Sequence, residues 1–276
     1  MDKLIISVGV TGSRITREQT PYIPITPAEI AQSAIDAWKA GASILHVHVR
    51  DLQTGLGTQD VALFKEVLDR IRSETDAIVS LTTSGIPGRN LPMEERLKAL
   101  DLKPEMVSFD AGSINLGDKV FINPPEFLAT LAKELTDRGI RPEIGVFEIG
   151  NVYDCVRLVE KGLLASPLFI QFVLNSKGGM PANVKSLLHL YEIIPPGTNW
   201  AVVESSVGFL PLAIHAIAMG GHVRVGLEEC IYYSEGRLAK SNAEQVERIV
   251  RMAQACGRDL ATPAEARKIL ALPEIK

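Results

Sequence analysis

The sequence predicts a closed (β/α)8 barrel. Three observations carry that prediction. Eight short apolar runs rich in β-branched residues alternate with longer segments of helical period. Capping residues open the helical segments, and Gly or Pro closes them. Eight βα units in 276 residues match the roughly 250 residues that such a barrel needs as one domain.

The strands are expected at 4–10, 43–49, 78–83, 106–110, 143–148, 168–174, 200–204 and 223–228. The first helix is expected over 27–40, opened by Thr26 with Glu29 three residues on, which is a capping box. The second, 60–73, follows a Gly-rich turn. Helices at 92–100 and 125–138 start near proline, which suits a first turn. A helix over 152–161 stops at Gly162, one over 183–194 stops before Pro195-Pro196, and one over 210–219 stops at Gly220-Gly221. Ser241 with Glu244 opens a helix over 243–256. A last capping box, Thr262 with Glu265, opens a short helix reaching about Leu272. The expectation is one barrel domain over 1–276, with 262–272 as a helical extension. A doubly wound open sheet is the alternative, but no strand is followed by GxGxxG, so a dinucleotide fold has no positive support.

Composition narrows the function classes. Charged residues make up 22% of the chain, and 29 Lys and Arg against 33 Asp and Glu give a net charge of −4. That is no footprint for a nucleic-acid backbone. The apolar stretch 209–219 is far short of roughly 18 residues, so no membrane span is expected. Cys155, Cys230 and Cys256 form no CxxC pair, and the N-terminal apolar run is too short for a signal peptide. A reducing cytoplasm is the expected compartment.

The polar exceptions to apolar strands gather at the strands' C-terminal ends: His46-Val47-His48, Thr82-Thr83-Ser84, Ser108-Phe109-Asp110, Glu148, Asn175, Glu204 and Glu228-Glu229. In a parallel barrel these ends form one rim, where active sites of this architecture are built. On a strand, residues i and i+2 share a face roughly 6.6 Å apart, so His46 and His48 both point to the barrel axis. Arg224-x-Gly226-x-Glu228 puts those three on one inward face of strand 8, two strands from the histidines in a closed barrel. Two imidazoles and a carboxylate form a zinc set that leaves a position open for substrate. An HxH pair alone serves equally well as two hydrogen-bonded histidines. His189, His215 and His222 read as structural. Arg224 reads either as a structural ion pair or as a group that orients a carboxylate base or grips an anion. Arg14, after strand 1, suits an anionic substrate. Asn175 to Met180, with its Gly-Gly, reads as a turn or a weak anion cradle.

At these residues the chain resembles the β-keto acid cleavage enzymes. The segments that carry the resemblance are TGSRIT at 11–16, PITPAEIAQSA at 24–34, HVHVRD at 46–51, KPEM at 103–106, DAGSINLGD at 110–118, FIN at 121–123, QFVLNSKGGM at 171–180, GGHVRVGLEE at 220–229 and SNAEQV at 241–246. They run in family order over nearly the whole chain. The resemblance implies a zinc-dependent (β/α)8 enzyme that turns a β-keto acid and acetyl-CoA into acetoacetate and a new acyl-CoA. It implies His46, His48 and Glu228 as metal ligands, and Arg14, Thr82, Ser108 and Asp110 as substrate contacts. It also implies a homo-oligomer, with a tetramer the favoured form.

Four departures from the family pattern set further expectations. Glu229 stands where the family usually has an Asp base, with Arg224 as its partner. The strand 5 pattern PExE becomes Pro142-Glu143-Ile144-Gly145, so the second acid, read as a member of the catalytic triad, is missing. Glu204 ends strand 7 where a small residue is expected, and Glu204 or Glu148 is expected to restore a carboxylate near Arg224. Arg14 replaces an acid found in members acting on amino-bearing substrates, which points to a keto acid with a second anionic group. The rival readings are a metal-dependent aldolase or lyase of another class, and a non-catalytic barrel that binds a ligand through its metal.

Overall fold

The computed structural model describes residues 2–84, 91–203 and 210–273. Eight parallel strands close into a barrel in chain order: β1 (Ile6–Gly9), β2 (Ile44–Val47), β3 (Ile78–Leu81), β4 (Met106–Asp110), β5 (Arg141–Val146), β6 (Phe169–Phe172), β7 (Asn199–Val203) and β8 (His222–Val225), with β8 pairing back onto β1. The expected fold class is therefore the observed one. The helices are α1 (Pro27–Lys39), α2 (Val61–Glu74), α3 (Met93–Leu97), α4 (Pro125–Arg138), α5 (Ile149–Glu160), α6 (Val184–Ile193), α7 (Leu210–Ala218), α8 (Asn242–Ala255) and α9 (Pro263–Ile269). Among the described residues no helix is long and apolar enough to cross a membrane.

The local chemistry fixes the helix starts. Thr26 Oγ1 accepts from Glu29 N–H at 3.2 Å, and Glu29 Oε2 accepts from Thr26 N–H at 2.9 Å. Such a cap is worth about 1 kcal/mol. Thr262 and Glu265 cap α9 with the same reciprocal pair, whereas at α8 Ser241 accepts from Glu244 N–H and the Glu244 carboxylate accepts from Lys240 N–H.

Strand alternation divides the barrel into two surfaces. Val8, Leu45, Val79, Val107, Ile144, Ile170, Val202 and Val223 point outward and are buried under the helices. Each contributes roughly 1.5–3 kcal/mol by leaving water. The inward positions change character along the axis. At the N-terminal end, Ile5, Ile44, Ile78, Met106, Phe169 and Ala201 form an apolar layer together with Ala261, Ala266 and Leu270. The C-terminal segment and α9 thus close the bottom of the barrel. One layer up, Ser7, His46, Ser80, Ser108, Glu143, Gln171 and Arg224 are all buried and polar. Burying so many polar groups is costly unless they satisfy one another, and that layer carries the site.

Three strand expectations are corrected. β5 spans 141–146, so Glu148 lies beyond the strand as the N-cap of α5, where Asn151 Oδ1 accepts from the Glu148 and Phe147 amides at 3.2 and 3.0 Å. β8 ends at Val225, because Gly226 adopts φ +137° and turns the chain; Glu229 and Cys230 N–H both donate to its carbonyl at 3.0 Å. β2 ends at Val47, and the chain continues past His48 into a rim hairpin, 49–50 against 57–58. A second hairpin pairs 114–116 with 119–121, and a third pairs 232–234 with 237–238.

Candidate functional site

The metal-ligand expectation rests on three residues, and the structure brings all three together. His46 Nε2 lies 3.7 Å and His48 Nε2 3.3 Å from Glu228 Oε1. Ligand atoms of the three fall within 4.8 Å of one another. Two ligands on a tetrahedral zinc are about 3.3 Å apart, given bonds of about 2.0–2.1 Å. The other oxygen, Glu228 Oε2, is buried with no hydrogen-bond partner. An orphaned carboxylate oxygen is costly, and a cation between it and the two imidazoles would satisfy it. The residues therefore fit a divalent ion.

His46 is prepared for that role from behind. Its Nδ1 lies 2.9 Å from Glu143 Oε2, which leaves Nε2 facing Glu228. A carboxylate on the far nitrogen is the usual way a ligating imidazole is oriented. Ser80 Oγ donates to the same Glu143 oxygen at 2.8 Å, and Gln171 Nε2 donates to Glu143 Oε1 at 2.6 Å.

Arg224 is buried and ties this group to the expected base. Its Nε donates to Glu229 Oε1 at 2.6 Å, one terminal nitrogen to Glu228 Oε1 at 3.0 Å, and the other to Gln171 Oε1 at 3.1 Å. That last nitrogen also lies 3.4 Å from Glu143 Oε2. Arg224 is thus ion-paired with Glu228 and Glu229 and lies near Glu143, contacts that both readings of this residue share.

The electrostatics follow from burial against these pairs. Burial pushes the Glu143 carboxyl up, but Arg224 and His46 outweigh it and hold it down at about 2. Glu228 is likewise held well below its ordinary range against the cost of burial, by His48, His46 and Arg224. Burial lowers His48 more strongly than Glu228 raises it. Glu229 goes the other way: burial pushes it up to about 7, Arg224 opposes, and neighbouring Glu228 adds to the rise. The pKa values of the two adjacent acids are thus driven in opposite directions.

The second acid of the strand 5 pattern is absent at Gly145, and the first, Glu143, brings a carboxylate to Arg224. That carboxylate comes from strand 5 itself, one turn of the pleat below Gly145. Gly145 pairs in register with Asp110, and a Cβ there would sit 2.8 Å from Asp110 Oδ1. The Asp110 carboxyl fills the space that a side chain at 145 would need. Glu148 is exposed at the start of α5 and does not serve Arg224. Glu204 lies outside the described residues.

The open mouth of the barrel is a cavity of about 370 Å³. His46, His48, Arg224, Glu228 and Glu229 line one side, with Arg14, Ser108 and Asp110 among its other lining residues. Thr82 is not among them. It is fully buried, with Oγ1 accepting from the Ser84 amide at 3.0 Å, and Ser84 lines the cavity in its place. Ser84 Oγ donates to Asp110 Oδ2 at 2.6 Å. Arg14 forms no ion pair among the described residues, whereas Lys177, also on the rim, is 3.2 Å from Asp118. The Arg14 loop is held from beneath by Arg50, fully buried, which donates to the carbonyls of Ile15, Gly55 and Thr11. Asn175 to Met180 packs on the 114–121 hairpin, Gly117 N–H donating to Lys177 O at 3.1 Å, and forms the opposite wall.

The other histidines are structural or exposed. His222 Nδ1 accepts from Ile5 N–H at 3.1 Å at the barrel's bottom, and His189 and His215 face outward. Glu143, Gln171 and Ser80 were not among the expected site residues. Their signal is parity: each is a polar residue at an inward position in mid-strand, where a structural barrel would place a branched aliphatic.

The comparisons agree with this geometry. A protein of Fusobacterium nucleatum named 3-keto-5-aminohexanoate cleavage enzyme is 42% identical over 274 residues, 99% of each chain. One of Cupriavidus necator named 3-oxoadipate:acetyl-CoA acetyltransferase is 34% identical, over 99% of this chain and 96% of its own. Among solved structures, ObcA in a ternary complex with a C4-CoA adduct and oxalate superposes with a TM-score of 0.77 at 20% identity, over 91% of this chain and 68% of its own, which shows the shared fold. The family model of the beta-keto acid cleavage enzymes matches residues 3–272. The chain is an enzyme, and it belongs to the β-keto acid cleavage enzyme family.

Proposed function

We propose that this enzyme is zinc-dependent and converts a β-keto acid with a second anionic group, together with acetyl-CoA, into acetoacetate and the corresponding acyl-CoA. The observation that carries the reading is the meeting, in one cavity, of the His46–His48–Glu228 set, with its orphaned Glu228 Oε2, and an Arg224-held Glu229. His46, His48 and Glu228 would hold the ion. The chemistry it supplies when bound is Lewis-acid polarisation of the keto oxygen, which acidifies the neighbouring CH2.

The remaining work falls to the chain's own residues. Glu229 accepts a proton from that CH2, and Arg224 fixes the carboxylate that receives it. The carbanion carbon attacks the acetyl carbonyl of acetyl-CoA, and the thiolate leaves. The thiolate then adds to the original keto carbonyl. The bond between that carbonyl and the former CH2 breaks, giving the new acyl-CoA and the enolate of acetoacetate, and Glu229 returns the proton. Atoms and charge balance without an outside oxidant or reductant. Glu143 keeps both partners in place, since its carboxylate meets His46 and Arg224 at once.

Arg14 supports the second anionic group. It lines the cavity without an ion-pair partner among the described residues, and a cation there favours a carboxylate over an amine. The Cupriavidus relative is named for a keto acid of that kind. The Fusobacterium relative, at higher identity, is named for an amino-bearing one, so the dianion reading rests on the charge of Arg14 in this chain. Ser108 and Asp110 are proposed as further substrate contacts. A homo-oligomer, favoured as a tetramer, and a cytoplasmic location complete the reading; exposed Tyr153, Leu188, Tyr191 and Ile214 on α5 to α7 are available to bury between copies.

The test is metal analysis of the purified protein, followed by turnover with acetyl-CoA across a panel of keto acids before and after chelation. Zinc near one equivalent, activity lost with it and restored by it, and dicarboxylic substrates preferred would support the reading. Full turnover in chelated protein would end the zinc proposal, and preference for amino-bearing keto acids would end the dianion proposal.

A further inference from the structure

The last residue of β1 is Gly9, and its backbone is the floor on which the Glu228–Glu229 pair rests. Glu228 N–H donates to Gly9 O at 3.2 Å. A Cβ on Gly226 would come within 2.1 Å of the same oxygen, so the two backbones touch where β1 meets the turn after β8. Gly9 cannot retreat from that side.

On its other side a Cβ at Gly9 would lie 2.5 Å from Glu229 Oε1, and 3.1 Å from both Glu228 Cβ and Glu228 Oε2. The shortest of these contacts is to the very oxygen that accepts from Arg224 Nε at 2.6 Å. Gly9 is not among the glycines with positive φ, and it lies in a regular strand. Its missing side chain therefore serves space, not backbone conformation.

We propose that Gly9 is a positioning residue for Glu229: the absence of a side chain at position 9 is what lets this longer acid set its carboxylate on Arg224. A methyl group there displaces Glu229 Oε1 from Arg224 Nε. An aspartate at 229 ends one methylene sooner and draws its oxygens back from the occupied space. Position 9 and the arm length at 229 are then one matched feature, although 220 residues separate them. The inference rests on the base role proposed for Glu229.

The experiment is a double-mutant cycle of Gly9→Ala and Glu229→Asp, with Glu229→Ala as a control. Turnover, zinc content and the melting temperature of the metal-free protein are read for each variant. A misplacement near 1 Å is expected to cost about a hundredfold. Gly9→Ala should lose about that much kcat, with KM within about threefold and zinc retained. Glu229→Asp should lower kcat about tenfold in the wild-type background and raise it about tenfold in the Gly9→Ala background. The metal-free melting temperature should show the same reversal of sign. Unchanged turnover in Gly9→Ala, loss of its zinc, or Glu229→Asp acting in one direction in both backgrounds overturns the proposal. If Gly9→Ala alone does not fold, a folded double variant supports it and an unfolded one overturns it. Full turnover in Glu229→Ala would instead defeat the base role, and the melting-temperature cycle would still report on the fit.

Discussion

The carboxylate of Glu143 accepts from His46 Nδ1 at 2.9 Å, across the barrel axis and 97 residues away in the chain. The same oxygen lies 3.4 Å from Arg224. One buried acid therefore fixes the face that the His46 imidazole presents and the guanidinium that holds Glu229.

Glu143→Gln keeps the shape and removes the charge. It is expected to weaken zinc binding by about 10–100-fold, the usual cost of losing such a partner, and to lower kcat through Arg224. Competition with a chromogenic chelator measures the first and steady-state kinetics the second. Glu148→Gln, at the exposed start of α5, should change neither.

Zinc added to the metal-free protein should raise its melting temperature, because a ligand that binds only the folded state stabilises it by about 4 kcal/mol at a thousandfold excess over Kd. For a chain of this size that is on the order of 10 °C. His48→Ala and Glu228→Gln should abolish most of the shift. Scanning calorimetry decides it, and an undiminished shift in both variants would place the ion elsewhere.

Arg14→Glu should invert the charge preference of the cavity. The ratio of kcat/KM for a dicarboxylic over an amino-bearing keto acid is expected to fall at least tenfold, about 1.4 kcal/mol of differential binding. A ratio that stays constant, with both substrates affected equally, would remove Arg14 from substrate recognition.

His222 predicts a pH dependence of stability that is independent of the site. It is buried and neutral; burial first, then Arg258, holds its pKa down to about 3 from the ordinary 6.5. Between those values the unfolded chain binds a proton that the folded chain does not. Its contribution is thus fully present above about pH 6.5 and declines as pH falls toward about 3. Chemical denaturation from pH 7 to 4 should show a shallower decline for His222→Gln than for the wild type. Parallel declines would contradict the assignment.

How much of this is written in the sequence depends on distance along the chain. Strand alternation, the capping boxes and the Gly and Pro stops are local signals, and they sufficed for eight βα units. His46-x-His48 and Arg224-x-Gly226-x-Glu228 were legible because closure brings β8 and β2 to either side of β1. The sequence by itself determined the architecture, the meeting of His46, His48 and Glu228, and the sign of the charge at Arg14. Tertiary structure alone decided that Glu143, and not Glu148, meets Arg224. It also decided that Asp110 fills the place beside Gly145, that Thr82 is turned away behind Ser84, and that α9 closes the barrel's lower end. The physical reason is register. Which inward side chains meet across a closed barrel depends on strand stagger and on where each strand starts, and a shift of one residue exchanges the inward face for the outward one. No local pattern in the chain carries that information.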